Sequence, residues 1–464
     1  MRLQQQRALT TSAKPFFKFD IIHQSKISKA RVGVITTPHG IINTPAYVPV
    51  GTNGALKCLS HLQVDDMELM FANTYHLLLQ PGPDVIRNAG GLHKFMNRTR
   101  PIITDSGGFQ VFSLQHGSIV NERSSSSSST STTSTELKRA SHGKNKNNGS
   151  VLKINEEGVL FRSYRDGKKI FLSPETSVDG KLNISNLCFD YIPSNISTLT
   201  RSNLHISLFH ILFFSSFVYK AQKSFGADII IPLDELPPHH IGESELLESL
   251  HRTHRWEKRS LVRHLENVNE QAMYGVIHGS TSLKFRTLST DYISNLPFDG
   301  LAIGGSLGQN KNDLMKILQC VMPLLQEGEK NTQQRPVHLL GIGDESSIID
   351  GIQLGVDSFD SALPTKIARH GTFLIREEKK NDRKRKNNII GGRMSIRSSI
   401  FANDSRPIDE ECTCMACRHH SRAYLHHLWR AKEPILFTLL SHHNLTYTLN
   451  LMKEQREGIL AGRI

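Results

Sequence analysis

The chain has 464 residues, 38% hydrophobic and 21% charged, with 56 Lys and Arg against 43 Asp and Glu for a net charge of +13. This excludes a collagen, a coiled coil and an integral membrane protein: the longest apolar run, Leu204 to Val218, has 15 residues with two His and three Ser, too short and too polar for a bilayer. The cation excess favours a polyanionic partner without naming one, because a basic solvated surface carries the same signature.

Residues 1–15 read as a basic tail. Arg2, Arg7, Lys14 and Lys18 precede the first acid, Asp20, a pattern shared by mitochondrial presequences and frayed basic termini. No secretory apolar region is present, so a cytoplasmic location is expected, with a mitochondrial one as the alternative. Residues 122–150, with six consecutive serines from Ser124 to Ser129, have too little apolar surface to bury and read as a disordered surface loop. Residues 179–220 show neither helical nor strand periodicity and end in Phe213-Phe-Ser-Ser-Phe-Val-Tyr-Lys220.

Beyond that segment, Ile229–Leu233, Met273–Ile277, Leu301–Ile303, Val337–Leu340 and Val356–Phe359 read as buried strands flanked by Gly or Pro. Between them, Leu314, Ile317, Leu318, Val321, Met322 and Leu325 line one face of a helix. Strands alternating with helices imply parallel βαβ units. Residues 377–392 form a charge-rich loop, read as a solvated insertion.

Polar residues recur at the strand ends: Asp105 after Pro101-Ile-Ile-Thr, Asp234, His278, the pair Gly304-Gly305, and Asp360. In a β/α barrel these ends meet at one mouth, whereas a doubly wound sheet would gather only those near its switch point. The expected architecture is therefore α/β: a (β/α)8 TIM-like barrel over residues 16–372. A small zinc-binding subdomain with C-terminal helices follows over 373–464.

Three carboxylates at one mouth can divide the work of nucleophile and general acid/base, although each could equally cap a helix. Lys366, Arg369 and His370, just past Asp360, are placed to meet phosphates or to serve as ordinary surface charges. Cys412, Cys414 and Cys417 with His443 saturate a tetrahedral Zn²⁺ and leave no position for water, so one structural ion is expected. His442 is the rival fourth ligand.

The ordered motifs resemble the tRNA-guanine transglycosylase (queuine tRNA-ribosyltransferase) family. They are Asn73-Thr-Tyr-His76 with LLLQPG, Thr104-Asp-Ser-Gly-Gly-Phe-Gln110, Glu156-Glu-Gly158 leading to Leu172-Ser-Pro-Glu175, and Phe225-Gly-Ala-Asp228. Phe298-Asp-Gly300, Ile303-Gly-Gly305, Phe359-Asp-Ser-Ala-Leu-Pro-Thr365, the cysteine motif and Ser421-Arg-Ala-Tyr-Leu-His-His427 complete the series. The resemblance implies replacement of guanine at the wobble position of GUN-anticodon tRNAs (Asp, Asn, His and Tyr types) by queuine or a related 7-deazaguanine. It implies Asp360 as the nucleophile that forms a covalent bond to ribose and Asp105 as the general acid/base. Base binding falls to Asp105, Ser106, Phe109, Asp234, His278, Gly304 and Gly305, with Asp234 reading the guanine-like edge and Phe109 stacking on it. Lys366 and Arg369 are expected to touch the tRNA. A homodimer, or a heterodimer with a non-catalytic paralogue, is expected.

The chain also departs from the family pattern. His278 stands where Gln is usual, Leu236 where bacterial members carry Cys, Ser306 for Leu and Ser361 for Cys. Gly308 replaces the Val of bacterial members, which reads as a wider pocket and favours queuine over the aminomethyl-deazaguanine precursor. The alternative, a non-catalytic RNA-binding partner subunit, would have lost the nucleophile that this chain keeps. An archaeal-type enzyme acting on the D-loop would add a C-terminal domain, against the 21 residues that follow His443. Residues 179–220 have no counterpart in the motif series. The pyrimidine-rich codons of their Phe/Ser ending suggest a retained intron, with a lineage-specific loop as the rival reading. Transcript reads spanning Val178 and Ala221 distinguish the two.

Overall fold

The computed structural model describes residues 15–64, 66–113, 151–178, 221–238, 241–328, 334–376 and 392–464. The readings made for residues 1–14, 122–150, 179–220 and 377–391 lie outside the described residues.

Eight parallel strands build the barrel: β1 (Ala46–Pro49), β2 (Met70–Ala72), β3 (Ile102–Thr104), β4 (Ile229–Ile230), β5 (Ala272–Ile277), β6 (Gly300–Ile303), β7 (Val337–Leu339) and β8 (Ser358–Ser361). From β2 to β8 each strand pairs with the next, and β8 returns onto β1 with Asp360 opposite Val48. One bridge between Val50 and Phe71, with the Gly51 N–H donating to the Phe71 carbonyl at 2.7 Å, joins β1 to β2. The barrel expected from the alternating pattern is present.

Two strands differ from expectation for local reasons. β4 has two residues instead of five, because Pro232 has no N–H to continue the ladder. β8 begins two residues later than expected. The Asp357 carboxylate is taken by Arg31 at 2.9 and 2.6 Å and by the Val337 N–H at 2.7 Å, and the Val356 N–H bonds back to Gly351. These two residues therefore seat the strand, and Asp360, expected just past its end, lies within it, one residue before the last. The helix Lys311–Gly328 buries all six residues of its expected face.

The barrel interior is filled by Val48, Phe71, Ile103, Ile229, Ile231, Tyr274, Val276 and Ala302. Phe17, Phe19, Ile35 and Ile42 join the same cluster. They come from an antiparallel sheet (Lys18–Gln24, Arg31–Thr37, Gly40–Thr44) and the residue before it. Phe17 meets Tyr274 edge-on at 6.1 Å, so the sheet stops one end of the barrel. A second small sheet (Val151–Asn155, Gly158–Arg162, Lys169–Leu172) lies between β3 and β4 in sequence. It is tied to the long helix Glu243–Leu265, where Trp256 Nε1 donates to the Glu156 carbonyl at 2.8 Å. The last helix, Ile435–Leu460, bridges two cores. Leu436, Leu439 and Leu440 pack with Phe373, Phe401 and the cysteines, while Leu445, Leu451, Met452 and Ile459 pack with the barrel's outer layer. Each such side chain contributes about 1.5–3 kcal/mol of burial. No helix among the described residues is long and apolar enough to cross a membrane.

Candidate active site and metal centre

Asp105 follows β3 directly and is buried. Its Oδ1 accepts the Thr74 N–H at 2.7 Å, and its Oδ2 accepts from Asn73 Nδ2 at 2.7 Å and Gln110 Nε2 at 2.9 Å. The carboxylate thus receives the first N–H of the helix Thr74–Leu79, so the capping reading holds in part, for a helix other than its own. Its main-chain carbonyl is held by Thr74 Oγ1 and by Gln222 Nε2. Burial pushes the Asp105 carboxyl up to about 6, with the Asn73, Thr74 and Gln110 bonds pulling the other way. Such a group changes protonation near neutral pH, as a general acid/base requires.

The same shift makes stability depend on pH. A carboxyl whose folded value is raised favours the folded state below the unfolded value of 3.8, and that contribution is lost as pH rises through about 6. The rise is worth about 3 kcal/mol. Across pH 4 to 7 in denaturant titrations, wild type should therefore lose about that much stability relative to Asp105→Asn. A difference that stays flat with pH would contradict the raised value.

Asp234 lies four residues past β4, partly exposed. Its Oδ1 accepts from Ser106 Oγ at 3.1 Å, and its Oδ2 lies 3.1 Å from His278 Nε2. That last contact has ion-pair distance without hydrogen-bond alignment. Ser106 Oγ also accepts the Gly108 N–H, so one hydroxyl links the Asp105 loop to Asp234. Gly108 has to be glycine, because a Cβ there would stand 2.6 Å from the Asp234 carbonyl oxygen. Gly305 has a φ of +72°, and a Cβ on it would lie 2.8 Å from His278 Nδ1, so the backbone runs against the imidazole. Phe109 is 50% exposed, free to cover a planar ligand. Gly308 has a φ of +86°, and a Cβ there would strike Asp313 Cβ at 2.2 Å, so this backbone by itself calls for glycine.

Asp360, on β8, is buried. Its Oδ1 takes both the Gly341 N–H at 3.0 Å and His338 Nε2 at 3.2 Å, while no described residue bonds Oδ2. His338 is fixed from its other side by Ser358 Oγ, 2.8 Å from Nδ1, so the Nε2–H tautomer facing Asp360 is the one that satisfies both contacts. The Tyr47 hydroxyl donates to the Ser361 carbonyl at 2.6 Å and holds the adjacent backbone. Lys366 and Arg369 follow on and just after the helix Leu363–Ala368, half-buried. His370 is exposed beside them. Asp105, Asp234, His278, Gly304, Gly305 and Asp360 all lie at or past the C-terminal ends of parallel barrel strands. That end of the barrel is where β/α enzymes do their chemistry.

Cys412, Cys414, Cys417 and His443 converge, and His442 is not among them. His443 Nδ1 lies 3.7, 3.6 and 3.3 Å from the three Sγ atoms. The edge of a tetrahedron with Zn–S and Zn–N bonds of ordinary length is about 3.6 Å, so the donor set fits such an ion. His443 Nε2 donates to the Leu374 carbonyl at 2.9 Å, which leaves Nδ1 as the nitrogen available to a metal.

His39, His93 and Asp228 also bring three donor atoms within 4.8 Å of one another. The two rings stack at 3.5 Å with an 11° interplanar angle, so their in-plane lone pairs run side by side and cannot both point at one ion. Asp228 instead accepts the Ile102 and His39 N–H groups at the start of β4. Burial alone would raise its carboxyl, but the His39 and His93 contacts hold it well below the usual carboxylate range. This trio is structural.

The sequence reading missed Asn73, Thr74, Gln110, Gln222, Tyr47 and His338. Asn73 and Gln110 sat inside motifs quoted without a role. His338 had a signal, a polar ring in the middle of an apolar strand.

The queuine tRNA-ribosyltransferase family model matches residues 25–142 and 202–464, leaving 1–24 and 143–201 unmatched. The chain is 45% identical over 446 residues to a queuine tRNA-ribosyltransferase of Protochlamydia amoebophila, covering 96% of this chain and 95% of that relative. It is 44% identical over 448 residues to the Chlamydia caviae protein of the same name, covering 96% of this chain and 99% of that one. With the strand-end carboxylates and the Cys3His cluster in place, the chain belongs to the queuine tRNA-ribosyltransferase family.

Proposed function

We propose that the protein exchanges guanine at the wobble position of GUN-anticodon tRNAs for queuine or a related 7-deazaguanine, through a covalent link between Asp360 and ribose. The observation that carries this reading is the pairing of two differently held carboxylates on one barrel mouth. Asp105 titrates near neutrality, and Asp360 is pinned through Oδ1 with Oδ2 unclaimed by any described residue. Asp360 attacks the anomeric carbon, the C1′–N9 bond breaks, and its electron pair leaves on guanine, which takes a proton from Asp105. In the return step Asp105 removes the N9 proton of the incoming base, N9 attacks C1′, and the Asp360 carboxylate departs. Asp234 accepts from the N–H edge of the base, Phe109 covers its face, and the Gly304-Gly305 backbone allows close approach. Lys366 and Arg369 meet flanking phosphates. The cluster at Cys412, Cys414, Cys417 and His443 holds a structural zinc ion, which supplies no step of the exchange.

The test offers labelled guanine, queuine and the aminomethyl precursor to purified protein with unmodified tRNA. Label should enter the wobble nucleotide of a GUN-anticodon tRNA, with the strand uncut. Incorporation at another position, or none with any base, would overturn the reading.

A further inference from the structure

We propose that Arg286 is a positioning residue for base binding: one buried guanidinium, bonded to carbonyls of two neighbouring loops, sets the gap between His278 and the Gly304-Gly305 floor. The inference rests on the base-pocket reading above. Arg286 lies on the helix Leu283–Ser294 and is fully buried. Its Nε donates to the Ser280 carbonyl at 2.8 Å and its Nη1 to Ile277 at 2.7 Å and Gly304 at 2.9 Å. Its Nη2 donates to Ser306 at 2.8 Å. Ile277 and Ser280 bracket His278 after β5, and Gly304 and Ser306 bracket Gly305 after β6. The four acceptors therefore frame both sides of the pocket.

A buried cation ordinarily sits against a carboxylate. No carboxylate pairs with Arg286 among the described residues, and the carbonyl dipoles alone hold it. Burial lowers its value to about 9, which keeps it charged at neutral pH. The loop runs tightly against the helix backbone: Gly279 has a φ of +137° and Ser280 of +52°, and a Cβ on Gly279 would stand 2.6 Å from the main-chain nitrogen of Arg286. Since a Cβ on Gly305 would reach 2.8 Å from His278 Nδ1, the imidazole stands close to the floor with no room for a side chain between them. A small relative shift of either loop changes what a flat base meets. Only a planar fork spans four separated acceptors; an ammonium places its donors at one point.

Two variants test this by steady-state exchange of labelled guanine into tRNA. Arg286→Lys keeps charge but not the fork, and Arg286→Gln keeps two of the donors. The expected result is a guanine KM raised about tenfold in Arg286→Lys, with the KM for tRNA within about twofold of wild type. Arg286→Gln should show the same selectivity and keeps the test open if the Lys variant folds poorly. Asp234→Asn, measured alongside, reports on the pocket reading itself. A guanine KM unchanged in both Arg286 variants but raised in Asp234→Asn overturns the positioning role alone. An unchanged guanine KM in all three overturns the pocket reading with it. Parallel loss in both KM values and kcat, tracking melting temperature, would mark Arg286 as merely structural and overturn the proposal.

Discussion

Asp360→Asn is expected to lower exchange by a factor on the order of 10³ or more and to abolish a denaturation-resistant protein–tRNA adduct. The substitution is nearly isosteric. With its amide oxygen at the Oδ1 position, Asn still accepts the Gly341 N–H and faces His338, so the β8 end keeps its shape. What it loses is the nucleophilic oxygen. Noncovalent tRNA binding should stay within about threefold, because phosphate contacts rather than Asp360 supply affinity. An adduct that survived in this variant would rule out the assignment.

Cys414→Ser is expected to empty the metal site and lower the melting temperature by about 10 °C. Cys414 is buried and also caps the short helix Met415–His419, its Sγ accepting the Cys417 N–H at 3.4 Å. A serine hydroxyl can keep that cap but is a poor zinc ligand, so the substitution separates metal binding from capping. The consequence should reach the barrel. The helix Ile435–Leu460, which carries His443, packs against the helix Leu363–Ala368 that follows Asp360, and Asn444 Nδ2 donates to the Pro364 carbonyl at 3.1 Å. Zinc content and melting temperature should therefore fall together, with activity following at temperatures near the new midpoint. A zinc-free variant with wild-type melting and activity would exclude the structural role.

The strand ends were legible in the sequence because the apolar runs of a parallel barrel are continuous and bounded. The residue that breaks each run is the one delivered to the mouth, as with Asp105 and His278. Their partners were less legible. Asn73 and Gln110 reach Asp105 from separate elements, a convergence that no periodicity encodes. Arg286 sits in a helix sequence, LKFRTL, where a cation ordinarily reads as solvent-facing, and only the fold brings the carbonyls of Ile277, Ser280, Gly304 and Ser306 over it. Gly308 was read through pocket width alone, whereas its positive φ and the approach of Asp313 emerge only in the folded chain. The choice between His442 and His443 depended on which face of the last helix meets the cysteines, and packing of Leu439 and Leu440 in the same cluster turns His443 inward.

In the proposed exchange Asp360 becomes bonded to ribose. That bond is tested most directly by trapping the protein–tRNA species without an acceptor base, digesting both components and mapping the nucleotide-bearing peptide by tandem mass spectrometry. The predicted result is a single modified tryptic peptide running from Asn331 to Lys366, because the Arg335–Pro336 bond resists trypsin, with the nucleotide mass on Asp360. A nucleotide on the Asp105 peptide instead, or a trapped species with no covalent mass on any carboxylate, would contradict it.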